Sequence, residues 1–232
     1  SVAIEILFPV IEEDQKDFLT SKIIDVYSMI QVMLGNQRKI TSSEMKILLQ
    51  ALQEMYSKYG ITRRGFETVD DEFFDEEFIS VGNSRQLMPT LTDLDTALKE
   101  TSSGEGLKLA QELEPYTLGI MSMFNGETNV DLDNDFIVFG IKDLEDGMKD
   151  IAMFIALEYI WNKVKSADKK RRLIIVDEAW IMMKNESSAK FLEKVAKTAR
   201  KFDTGLSVVS QNVKDFMENG GENIILNTSM QV

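Results

Sequence analysis

The chain has 232 residues, with 26 basic against 39 acidic side chains (formal net charge −13), 44% hydrophobic and 28% charged. That length buries a full core in one large domain or two small ones, and the acidic balance excludes a broad non-specific nucleic-acid surface, leaving room for a local basic stripe at most. Cysteine and histidine are absent, which excludes disulfides, thiolate and imidazole metal sites, and Ser-His or Cys-His catalysis.

Chemistry must therefore rest on carboxylates, lysine, arginine, hydroxyls, amides or a bound hard cation. No stretch approaches the ~18 continuous apolar residues of a membrane span. Ser1 opens no signal-peptide pattern.

In chain order, Val2 to Phe8 is an apolar run stopped by Pro9 and reads as a short strand. From about Phe18 the period becomes helical. Ile23, Ile24, Val26, Tyr27, Ile30, Met33 and Leu34 share the spacing, and Gly35 ends it. A capping box, Thr41-Ser42-Ser43-Glu44, opens a second helix. Its inward face is Met45, Leu48, Leu49, Leu52, Met55 and Tyr59, and it stops at Gly60.

The acids between Asp70 and Glu77 read as a solvated loop rather than a metal cage. Thr90 and Asp93 frame a helix start after Pro89, and another helix spans about Glu105 to Glu114. The segment 18–116 is thus an expected all-helical subdomain.

After Gly119 strands and helices alternate. Thr128 to Leu132 and Phe136 to Ile141 read as strands, and Ile151 to Trp161 as a helix apolar almost all round. Leu173-Ile174-Ile175-Val176 reads as a strand buried on both faces. A helix from Ser187 to Phe202 follows, with Leu192, Val195, Ala196, Ala199 and Phe202 inward, then a strand from Leu206 to Ser210. A short helix near Val213 to Met217 and a last apolar run, Ile224 to Leu226, complete the order. This alternation predicts an α/β fold, a parallel sheet covered by helices, with ligands at the carboxyl ends of its strands.

Asp177 and Glu178 lie at one such end and Gln211 at another. In a nucleoside triphosphatase the first acid of such a pair holds magnesium, and its neighbour orients or deprotonates the attacking water. Gln211 either senses the terminal phosphate or merely opens the next helix. Arg200 and Lys201 either complement the helix dipole or meet phosphate, Arg200 acting as a finger only from a neighbouring subunit. Lys190, Lys194, Lys197 and Lys201 line one helical face, which is a solvated surface or, less often, a contact with a partner or nucleic acid.

No G-x-x-x-x-G-K-[ST] phosphate loop occurs. Ser103-Gly104-Glu105-Gly106-Leu107-Lys108 imitates one with the wrong spacing, and reads as an inter-helix turn.

The run Leu173 to Trp180, the helix end Ala199-Arg200-Lys201, and Leu206 to Phe216 with Ser210-Gln211-Asn212 resemble the large traffic ATPases of type IV secretion and conjugative transfer systems (the TraC/TrbE class). Met88-Pro89-Thr90-Leu91-Thr92-Asp93-Leu94, and Phe124-Asn125-Gly126 followed by Val130-Asp131-Leu132, resemble further family segments in the same serial order.

The resemblance implies a RecA-like P-loop core formed by residues 1–17 and 117–232, with 18–116 as an all-α insertion. It implies ATP and Mg2+ as cofactors, magnesium on Asp177, catalysis by Glu178, a sensor at Gln211 and a trans-acting finger at Arg200. A hexamer at the cytoplasmic face of the membrane, in contact with secretion-channel proteins, is also implied. The family's phosphate loop is then expected upstream of Ser1, and the isolated chain is expected to be inactive. Two alternatives stay open: a DNA-translocating coupling-type ATPase, and a non-catalytic protein-interaction module.

Overall fold

The computed structural model describes residues 18–35, 37–62, 65–66, 79–81, 84–86, 89–126, 134–165, 170–211, 213–217 and 221–227. The expected strands at Val2 to Phe8 and Thr128 to Leu132, the acidic loop at Asp70 to Glu77 and the terminal Met230 to Val232 lie outside them. The chain divides into two compact units within its first helix, α1 (Phe18–Leu34): residues up to Tyr27 join Ile40–Asp135, and Ser28–Lys39 join the chain from Phe136 onward.

In the first unit the helices start where local chemistry says they must. Helix α2 (Ser42–Lys58) opens at the expected capping box. Thr41 accepts from the Glu44 backbone N–H, and the Glu44 carboxylate accepts in return from the Thr41 N–H at 2.9 Å. Glu44 is itself buried and its second oxygen meets Lys108 Nζ at 3.1 Å, tying the cap to α4 (Gly104–Thr117). Helix α3 (Leu91–Glu100) repeats the device with Thr90 and Asp93.

The core of this unit is Leu48, Leu52, Met55 and Tyr56 of α2 against Leu94 and Leu98 of α3 and Leu109 and Leu113 of α4, all buried. Met45, expected inward, is half out of the core, and so is Ile24 of α1, which lies off the buried Ile23–Val26–Ile30–Met33 stripe. Gly106 has a packing role: a Cβ there would sit 2.6 Å from the Leu98 carbonyl oxygen, so glycine lets α4 approach α3. Two short antiparallel pairs interrupt the helical segment, β1 (Ile61–Thr62) with β2 (Gly65–Phe66) and β3 (Ile79–Val81) with β4 (Ser84–Gln86).

The second unit is built on α5 (Asp146–Lys165), which buries residues almost all round, as its composition predicts: Ile151, Phe154, Leu157, Trp161 and Val164 among them. Phe154 packs on Phe191 with ring centroids 5.1 Å apart, and Trp161 meets Phe202 edge-on at 5.4 Å. Strand β5 (Arg172–Val176) pairs in parallel with β6 (Thr204–Val208), Ile174 opposite Leu206 and Val176 opposite Val208. Between them run α6 (Trp180–Met183), α7 (Glu186–Thr198) and a 3-10 turn, Ala199–Phe202. Helices α8 (Val213–Met217) and α9 (Gly221–Leu226) follow.

Two expectations fail here. The Leu173 strand is buried on one face only: Ile174 and Val176 are inside, while Leu173 is 66% and Ile175 64% exposed. The side chains alternate across the pleat, so Ile174 and Val176 share the buried face and Leu173 and Ile175 the open one. Phe136 to Ile141 forms no strand, and Phe136 is 84% exposed. A run of β-formers needs a partner ladder, and none meets it among the described residues. The last apolar run, Ile224 to Leu226, closes helix α9, with Ile224 alone of the three fully buried. Among the described residues no helix is long and apolar enough to cross a membrane.

Candidate active site at the carboxyl ends of the parallel strands

The backbone at the strand tips sets the site. Past the regular ladder, Val209 N–H donates to the Val176 carbonyl at 2.8 Å and Ala179 N–H donates to the Val209 carbonyl at 3.0 Å. Val176 and Ala179 are therefore both tied to the same point of the neighbouring chain. Asp177 and Glu178 must loop out between them.

Glu178 accomplishes the turn with φ of +51°, a left-handed conformation that L-residues other than Asn and Asp avoid. Two other described non-glycine residues share that region, Ser102 and Asp203, but both follow helix ends where the left-handed residue is a usual stop. Glu178 follows a strand and stops no helix. Its strain, of order 1–3 kcal/mol, points to a functional turn.

Asp177, exposed, accepts the Glu178 backbone N–H on Oδ1 at 2.9 Å. Glu178 is half-buried, and both its carboxylate oxygens are engaged. Gln211 Nε2 donates to Oε1 at 2.7 Å, and Trp180 Nε1 donates to Oε2 at 2.6 Å. The first bond joins residues 33 apart in sequence and unites the two strand ends expected to carry the site.

Arg200 is not brought to it. It lies exposed in the turn before β6, at the amino end of a strand whose carboxyl end leads to Gln211. Five residues of strand separate those ends by roughly 15 Å. The lysine stripe is largely committed. Lys190 pairs with Glu186 at 2.6 Å, Lys197 with Glu193, and Lys194 lies 5.8 Å from the Phe191 ring. Each acid precedes its lysine by one turn, the favoured order in a helix. Lys190 and Lys39 together hold the Glu186 carboxyl below its usual range.

The donor set fits magnesium in one way only. Among the described residues no group of three or more Asp or Glu side chains converges as a self-contained metal site. Magnesium on a nucleotide needs no such cage, since one or two carboxylates, phosphate oxygens and water complete its shell. Asp177 supplies one exposed hard oxygen beside Glu178, which suits that arrangement. Trp180 as a partner of the catalytic candidate escaped the sequence pattern, because a contact between residues two apart depends on a tight turn and leaves no periodicity.

An acid pair at the tip of a parallel strand, laced to a glutamine beyond the next strand, suits an α/β P-loop domain. The chain belongs to the TraG P-loop domain family, whose model matches residues 8–232. It is also similar to the solved structure of VirB4 of Thermoanaerobacter pseudethanolicus, with 27% sequence identity, a TM-score of 0.75 and 96% of this chain covered. The chain spans 57% of the length of that VirB4 chain. No curated protein sequence matches it. Family model and structural likeness agree on a P-loop domain of the α/β class, similar to TraG and VirB4.

Proposed function

We propose that the chain is the motor domain of a type IV secretion or conjugation ATPase, coupling ATP hydrolysis to pilus assembly or substrate transfer at the cytoplasmic face of the membrane. The observation that carries the reading is Glu178 at the strand tip, its backbone N–H bonded to Asp177 and its carboxylate to the Gln211 amide.

In this reading Asp177 holds magnesium. When bound, the ion neutralises charge on the phosphates. Glu178 accepts the proton of the attacking water, or orients it, once one carboxylate oxygen is released. Gln211 is the group that lets go. Its side chain is exposed, and its amide serves a phosphate oxygen or the water equally well. Arg200, remote from its own site, acts on a neighbouring subunit's nucleotide in a hexamer that contacts secretion-channel proteins. The DNA-pumping alternative draws little support from the lysine stripe, since Lys190 and Lys197 are paired with acids of their own helix.

The deciding experiment is Glu178→Gln in the full-length protein. Turnover is expected to fall at least about 100-fold, with ATP-magnesium affinity within about twofold of wild type. Retained turnover overturns the assignment.

A further inference from the structure

The two hydrogen bonds to Glu178 are unlike in ways that bear on its orientation. The Gln211 bond reaches across from another strand and ends on an exposed side chain. The Trp180 bond is made within one turn, two residues along the chain, to a half-buried indole. Any shift of one strand end against the other stretches the first and leaves the second intact, because Trp180 moves with Glu178.

The indole N–H also donates and cannot accept. It therefore orients a carboxylate without competing for the proton that the carboxylate takes up. The ring is secured in turn from its face: Lys184 Nζ sits 4.4 Å from its centroid, one turn further along.

Resting on the assignment of Glu178 as the catalytic carboxylate, we infer that Trp180 is its positioning residue, pinning Oε2 while Oε1 is exchanged between Gln211 and the attacking water. A glutamate in a left-handed turn projects away from the strand direction on three rotatable bonds. Without a fixed partner it loses the alignment that a reacting water requires, and misplacement of about 1 Å costs on the order of 100-fold in rate. The Trp180 N–H supplies that partner.

The test compares Trp180→Phe, and benzothienylalanine at position 180, with Glu178→Gln, all in the full-length protein. Benzothienylalanine replaces only the indole N–H by sulfur and keeps the ring for Lys184, so it separates the hydrogen bond from packing. Both substitutions are expected to lower kcat by about tenfold or more, with KM for ATP and Tm unchanged. Wild-type kcat with benzothienylalanine, or a change confined to KM, overturns the positioning role. If Glu178→Gln itself retains turnover, it is the catalytic assignment that falls, and that outcome is read from a separate protein.

Discussion

The largely helical unit and the unit that carries the parallel strands differ in how far local preference agrees with the fold. In the first, most local preferences agree with the fold, Pro115 inside α4 and the half-exposed Met45 apart: capping boxes open α2 and α3, glycine follows α2, and the leucine stripes of three helices close on one another. In the second, two such preferences are broken. A β-rich strand leaves Leu173 and Ile175 in solvent, and a glutamate takes a left-handed conformation at its tip. The violations cluster within a few residues of Asp177. Consistency builds a scaffold, and the departures around Asp177 coincide with the site proposed for the chemistry.

That contrast is open to direct attack. The largest stability effect is expected from Leu98→Ala, at the centre of the helical core. Deleting a fully buried leucine side chain should cost about 2–5 kcal/mol. Amide exchange should lose protection across Ile40–Asp135 while β5 keeps its own. Loss in both regions to the same extent would show one cooperative body and blur the comparison.

A smaller effect of opposite sign is expected at Asp203. Like Glu178 it is left-handed, but it ends a helical turn with an exposed side chain. Asp203→Gly should stabilise by about 0.5–1 kcal/mol in denaturant unfolding and leave turnover of the full-length protein unchanged. Lost turnover would mean that strain alone does not single out Glu178.

The smallest effect is electrostatic. Burial pushes the Asp150 carboxyl above its usual range, while the Ile151 N–H and the charge of Lys184 pull it back. A raised folded-state pKa means that the stability contribution is present below the unfolded-state pKa and lost as pH rises through the folded one. Asp150→Asn should therefore unfold at a higher temperature than wild type at pH 7, with the gap closing as pH falls toward 3. A gap independent of pH would assign the effect to packing.

Much of this was legible beforehand, for identifiable reasons. Caps such as Thr41 with Glu44 involve residues three apart and show directly in the sequence, and so do 3.6-residue stripes. The acid pair and Gln211 were recognisable because a strand followed by carboxylates puts them at a predictable edge. The strand expected over Phe136 to Ile141 failed because pairing is a property of two segments, and one segment cannot reveal it.

The sequence by itself determined the helix starts, the buried α5 and the identity of the acids at the strand end, since each depends on neighbours a few residues away. Only the tertiary structure decided which face of β5 is bare, that Gln211 and Trp180 take one oxygen each of Glu178, and that Arg200 stands at the far end of its strand. Those outcomes depend on how two strands register and on how a turn is tied between Val176 and Ala179, and such contacts are set by distances in space that no local pattern encodes.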